Sequence, residues 1–383
     1  MADRSTTFTG IRFPNPFLLA SAPPTESESN IVRAYEAGWG GVVTKTIGLH
    51  PVQNVRGPKT RFLRIDDGGG RVSTTKRPDA TVVASWNWEL ISDKPLDWWV
   101  GRLSRIKRQF PDHVLVASIM AGSGSDQELE NWQILTRAVQ DEGVDAIELN
   151  FSCPHMDRVD MGANVGKDPV LTSVSTQAVK AVARVPVWVK LTPASADIVE
   201  EAEASFRGGA DAISSSNTFP SLTPVDPDTL EFEASVDGLT ASGGLGGPAI
   251  LAQSLAKMAQ MTAAFPDRAF SGIGGITTFR DALGYFLLGC GTVQVATAAM
   301  LDHAIGPNVI RGLLDGMDAF LDKNADRGWR TLDDFRGLRR DAVVPHARIP
   351  RPDPGAYHGG RDADSAEEAE GYARPAASEA VPA

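Results

Sequence analysis

A (β/α)8 barrel is the fold class that this sequence predicts, and three observations carry the prediction. Short runs rich in β-formers alternate with longer segments of helical period. Eight such units spread over roughly 300 residues, which suits a closed barrel better than a doubly wound sheet. Polar and reactive residues collect just past the ends of the runs, the end at which parallel α/β folds bind ligands. The fold is therefore of the TIM-barrel class, and 383 residues with 42% hydrophobic composition are enough for one such barrel with additions.

The elements follow in order. Phe17 to Ala20 is an apolar run and the first strand; Ser27 to Ala37 is the helix after it, with Ile31, Val32 and Tyr35 on one side. Gly41 to Thr44 is the second strand, and it leads into Lys45 and Thr46. An insert, His50 to Asp97, then carries Gly68-Gly69-Gly70 and Ser85-Trp86-Asn87-Trp88-Glu89. So long an excursion without clear period reads as a functional loop or a small subdomain. The helix Trp98 to Gln109 precedes strand Val114 to Ser118, and the helix Glu128 to Glu142 precedes strand Ala146 to Asn150. A helix after Asp168-Pro169, strand Val187 to Lys190, a helix from Asp197 to about Arg207 and strand Ala212 to Ser215 come next. Helix Ala249 to Phe265, strand Ala269 to Gly272, helix Thr278 to Leu288 and strand Thr292 to Ala296 complete the set. Two further helices are expected, Asn308 to Leu321 and a short one at Thr331 to Arg336 that opens on a capping-box-like Thr331-x-x-Asp334. Residues 1–340 form the barrel domain, and 341–383 an extended or disordered tail.

Charge and cysteine usage exclude several function classes. A formal net charge of −11 argues against nucleic acid or an anionic membrane surface as a partner. Arg351 to Ala383 alone holds three arginines against seven acids, which is −4 of that total. The two cysteines, Cys153 and Cys290, form no disulfide framework and no Cys-x-x-Cys pair, so no metal site and no iron–sulfur cluster are expected in this chain. The apolar run Phe17 to Ala20 is too short for a signal peptide or a membrane span, and a soluble, cytoplasmic protein is expected.

The chemistry centres on Glu148 to His155, Glu-Leu-Asn-Phe-Ser-Cys-Pro-His. A strand ends there in Asn150, Ser152, Cys153 and His155, with Pro154 unable to continue the ladder. Cys153 at a strand end is a workable proton donor or acceptor if its pKa is tuned. Ser21, Lys45, Thr46, Lys190, Asn217 and Thr218 follow other strands, Gly274-Gly275 follows the seventh, and Ala296 and Thr297 stand at the end of the eighth. Those glycines, with Gly243-Gly244-Leu245-Gly246-Gly247, let backbone amides approach a phosphate. Two lysines at strand ends need an anion, or a carboxylate such as Glu148. Together with a phosphate cradle they suit a flavin, FMN rather than FAD or NAD, because no Gly-x-Gly-x-x-Gly opens a helix. Asn87, Asn150 and Asn217, with Thr218, offer the paired donors and acceptors that a planar imide or lactam ring requires. Trp86, Trp88, Trp98 and Trp99 are read as packing, the first two also as candidates to wall the pocket.

These residues resemble a known family. From roughly Phe8 to Gly337 the chain is similar to the FMN barrel of dihydropyrimidine dehydrogenase, a relative of dihydroorotate dehydrogenase. The resemblance rests on Asn15-Pro-Phe, Thr44-Lys45-Thr46, Asn87-Trp-Glu-Leu-Ile-Ser92, Glu148 to His155, Lys190-Leu-Thr-Pro193, Asn217-Thr218 and Gly274-Gly-Ile276. It implies FMN contacts at Ser21, Lys45, Thr46, Lys190, Gly247, Gly274, Gly275, Ala296 and Thr297. It implies pyrimidine contacts at Asn87, Asn150, Asn217 and Thr218, with Ser152 beside them, and a proton donor at Cys153. The implied reaction is reduction, or in reverse formation, of the C5–C6 double bond of uracil, thymine or a similar cyclic amide. His155 stands where dihydroorotate dehydrogenases usually carry asparagine. NADH or NADPH is the expected electron source, directly or through an electron-transfer partner subunit, and a homodimer is expected by analogy. Two alternatives stay open: oxidation of dihydroorotate in the same fold, and a flavin subunit whose work is to dock a partner.

Overall fold

The computed structural model describes residues 3–57, 59–65, 72–75, 82–156 and 158–351. Eight parallel strands close into a barrel. They are β1 (Phe17–Leu19), β2 (Gly41–Val43), β3 (Val114–Ile119), β4 (Ala146–Phe151), β5 (Val187–Leu191), β6 (Ala212–Ser215), β7 (Ala269–Ile273) and β8 (Thr292–Val295). Pairing of Val293 with Phe17 and of Val295 with Leu19 shuts the ring. The chain divides at Ala342, with Met1–Ala342 as one unit and Val343–Ala383 as another. In the second unit the described residues include one 3-10 turn, His346–Arg348. The expected tail lies, from residue 352 on, outside the described residues.

The helices begin where the caps dictate. Ser27, Ser125, Asp168 and Asp197 each accept a backbone N–H from the first turn of the helix that follows, and Pro169 occupies the first position after Asp168. Around the barrel the helices bury their apolar sides against the outward faces of the strands in one continuous core. Two expectations are corrected. The helix expected over Trp98 to Gln109 is two pieces, Leu96–Trp99 and Arg102–Gln109, because Gly101 takes a φ of 76° and breaks the run. The helix expected at Thr331 to Arg336 is only a 3-10 turn, Leu332–Asp334, whose Asp334 carboxylate is taken up by the N–H groups of Arg330 and Thr331.

Side chains two apart share a face of a strand, and the inward rows change character along the barrel axis. At the amino end Leu18, Val43, Val116, Ala146, Trp188 and Ala212 pack with Phe8 and Phe13. Those two rings belong to an unexpected hairpin, Thr6–Phe8 with Ile11–Phe13, turned by Thr9 and Gly10 at φ 49° and 80°. It plugs the barrel floor, with Phe8 edge-on to Trp188 at 5.1 Å. One layer up the interior turns polar: Glu148 Oε2 accepts from Ser214 Oγ at 2.7 Å and from Gln294 Nε2 at 3.0 Å. The next inward positions, Asn150 and Lys190, reach the carboxyl-end mouth.

A second sheet lies at that mouth. Its five antiparallel strands are, in spatial order, Phe219–Ser221, Gly243–Gly246, Val82–Asn87, Thr60–Ile65 and Val72–Thr75. The insert after β2 is thus a subdomain whose sheet is completed by the segment after β6. Asn87 sits opposite both Thr60 and Gly244.

Candidate active site

One cleft, open to solvent, occupies the mouth of the barrel. Each wall comes from the end of a different strand, so the fold itself brings together residues up to nearly 300 positions apart. Ser21, Lys45, Thr46, Lys190, Ala296 and Thr297 line it, with Gly247, Gly274 and Gly275. Asn87, Asn150, Cys153, Asn217 and Thr218 line it as well.

Ser152 is placed differently. It is buried at 1% exposure and does not line the cleft. Its hydroxyl donates to Asn150 Oδ1 at 2.8 Å and accepts from Asn217 Nδ2 at 3.0 Å, so it ties two carboxamides together from behind. The register of β4 decides this: Asn150 points inward, and the chain has already turned at Ser152. Trp86 and Trp88 are likewise absent from the cleft. Their indole N–H groups donate to the carbonyls of Ser221 and Ala241, and the rings pack with Ala234 on the other side of the sheet. Trp99 is fully buried in the main core.

The charges are arranged unequally. Lys45 Nζ pairs with Glu89 Oε2 at 3.0 Å, and Glu89 lines the cleft, a role that the sequence alone did not disclose. Its only signal was an acid two positions after Asn87. Lys190 is 3% exposed, and its ammonium makes no hydrogen bond or ion pair among the described residues. Burial depresses its pKa, and Lys45 adds to the effect while Glu148 and Cys153 oppose it. Glu148, the partner expected for a lysine, instead spends Oε2 on Ser214 and Gln294.

Cys153 is 5% exposed. Burial raises its thiol pKa, while the His155 backbone N–H, Lys45 and Lys190 pull it back. The thiol therefore rests protonated near neutral pH. His155 has its pKa lowered by burial, against the Asn87 carbonyl and the Glu89 carboxylate, and its Nε2 is buried with no partner among the described residues. Cys290 is buried, with its pKa pushed far up by burial, and lies away from the cleft.

The donor set fits a flavin mononucleotide. Lys190 is a buried cation at the mouth whose ammonium no described residue engages. At Gly274 and Gly275, with φ of 124° and 76°, an added Cβ would come within 2.2 Å of Ser254 Oγ and 2.6 Å of Leu251 Cα, so bare backbone is required there. No group of three or more His, Cys, Asp or Glu that could hold a metal occurs among the described residues. No helix among them is long and apolar enough to cross a membrane.

Fold and cleft together define a (β/α)8 barrel with its site at the carboxyl-end mouth. The family model for dihydroorotate dehydrogenase matches residues 99–317. The chain is 36% identical over 351 residues to the NAD-dependent dihydropyrimidine dehydrogenase subunit PreA of Escherichia coli K12, covering 91% of this chain and 80% of that protein. It is also 36% identical over 353 residues to the chloroplastic dihydropyrimidine dehydrogenase (NADP(+)) of Arabidopsis thaliana, covering 91% and 79%. To the catalytic subunit of dihydroorotate dehydrogenase B (NAD(+)) of Thermoplasma acidophilum it is 30% identical over 339 residues, covering 88% and 99%. The chain belongs to the dihydropyrimidine dehydrogenase family, with a dihydroorotate dehydrogenase-like barrel, and is an oxidoreductase acting on CH–CH bonds.

Proposed function

We propose that this chain binds FMN in the mouth and interconverts uracil, thymine or a closely similar cyclic amide with its 5,6-dihydro form. When bound, FMN supplies the hydride exchange at its N5 with ring carbon C6. Ser21, Lys45, Thr46, Lys190, Gly247, Gly274, Gly275, Ala296 and Thr297 would hold it. Cys153 gives a proton to C5 in reduction and takes one in oxidation, so that hydride and proton together saturate one double bond.

The observation that carries the reading is the hydrogen-bond inventory of the three carboxamides. An amide has two N–H donors and two lone pairs. Asn87 uses one donor on the Gly244 carbonyl and one lone pair on the Glu89 N–H. Asn150 uses one donor on Thr46 Oγ1 and both lone pairs on Ser152. Asn217 uses both donors on Ser152 and one lone pair on the Thr218 N–H. Free donors remain on Asn87 and Asn150, and free acceptors on Asn87 and Asn217. Uracil presents the complement, two carbonyl oxygens and two N–H groups, and its thymine homologue does the same. The names of the relatives, dihydropyrimidine dehydrogenases, agree with that ring. Reducing equivalents come from NADH or NADPH, directly or through a partner subunit, and the chain acts as a homodimer.

A ring with half the edge tests the inventory. In titrations that follow the flavin spectrum, 2-pyridone, which lacks one carbonyl and one N–H, is expected to bind on the order of 100-fold more weakly than uracil. Equal affinities would show that the carboxamides do not read the ring.

A further inference from the structure

We propose that Glu89 sets the charge specificity of the cleft: by occupying Lys45 it admits a neutral cyclic amide and turns away a ring that bears a carboxylate. The proposal rests on the pyrimidine reading above and deepens it.

The geometry is local and complete. Glu89 Oε2 lies 3.0 Å from Lys45 Nζ and 3.9 Å from Lys59 Nζ, and Oε1 accepts from Thr60 Oγ1 at 3.4 Å. The Glu89 backbone N–H donates to Asn87 Oδ1 at 3.1 Å, which ties the two residues together, and the carboxylate itself is held by Lys45 and Thr60. Both members of the Lys45–Glu89 pair line the cleft, with side chains 8% and 15% exposed.

An ammonium on the wall of such a cleft is the natural anchor for a substrate carboxylate. Here that anchor is already engaged. An entering carboxylate would meet Glu89 as a like charge, in a mouth where water screens poorly and repulsion exceeds its bulk value. A neutral ring meets no such term. The remaining basic groups do not restore the anchor. Lys59 is 33% exposed and solvated at longer range. Burial holds His155 toward neutral imidazole. In the reading above Lys190 would be engaged by FMN, whereas Lys45, counted there with it, has its ammonium turned to Glu89. Rejection by a fixed like charge is an economical route to specificity. It also addresses what the relatives leave open, since uracil and orotate differ by one carboxylate and the chain resembles enzymes named for both substrate classes.

The test uses the flavin-loaded full chain, titrated anaerobically with uracil, orotate and the methyl ester of orotate while the flavin spectrum is followed. In the unmodified protein the ester, similar in bulk but uncharged, should bind at least about tenfold more tightly than orotate. Glu89→Gln should raise the ratio of orotate to uracil affinity by about tenfold or more. Three results overturn the proposal: equal rejection of orotate and its ester, unmodified protein that binds orotate as tightly as uracil, or an unchanged ratio in Glu89→Gln. The first two need no variant and decide the matter if Glu89→Gln fails to fold. A protein that binds none of the three rings defeats the pyrimidine reading, and the proposal with it.

Discussion

Replacing Cys153 by alanine is expected to lower turnover with uracil by roughly 10²–10⁴-fold, the usual loss for a positioned general acid, while the flavin is still reduced by its electron donor. The split matters because a fold defect would damage both half-reactions. Removing a small buried side chain costs little in packing, and Cys153 sits in a broad core that the barrel helices hold independently. The thiol's raised pKa gives the reaction a direction-dependent pH profile. In reduction the protonated thiol is the working form, so the rate should be flat between about pH 6 and 8 and fall only above the ordinary thiol range. In oxidation the thiolate is the working form, so the rate should climb across the same interval. Stopped-flow half-reactions at several pH values check both; a rate in the oxidative direction that falls with rising pH would assign the proton to another group.

Lys190→Met is the second large effect. Methionine approximates the volume of the lysine stem but carries no charge, so the fold should survive. With FMN held as proposed, the variant would lose a fixed cation that stabilises charge on the reduced flavin, a loss that typically costs about 10²–10³-fold. The flavin potential should fall, by about 60 mV if the stabilisation lost is a hundredfold for a two-electron couple. Binding carries its own signature. Burial holds the Lys190 pKa below the usual lysine value, and an anion bound in the mouth would raise it again. Apoprotein affinity for FMN should therefore decline as pH rises through the depressed Lys190 pKa, and the decline should vanish in Lys190→Met. An unchanged potential and an unchanged pH dependence would remove Lys190 from the flavin's surroundings.

What could be read in the sequence follows from what is local. The barrel strands are legible because buried parallel strands are short apolar runs between caps and glycines, and β4 announces its end with Pro154. The mouth is legible for the same reason, since a residue that follows a strand is placed by that strand. The sheet built on the insert is not, because the bond from Asn87 to the Gly244 carbonyl spans 157 positions and nothing in either segment names the other. Trp86 illustrates the consequence: beside Asn87 in sequence, it faces the opposite side of the sheet. Ser152 shows a similar limit, because polar crowding marks a site without saying which side chain faces substrate and which braces its neighbours. The floor hairpin did have a signal, Phe8 and Ile11 flanking Thr9-Gly10 with Phe13 beyond, hidden by the polar residues around it.

The most direct test of the central claim is anaerobic mixing of the purified, flavin-loaded protein with dihydrouracil. Bleaching of the flavin's visible absorbance, reversed on addition of uracil, is the predicted result. A protein that takes up no FMN, or whose flavin spectrum neither compound alters, would contradict the account.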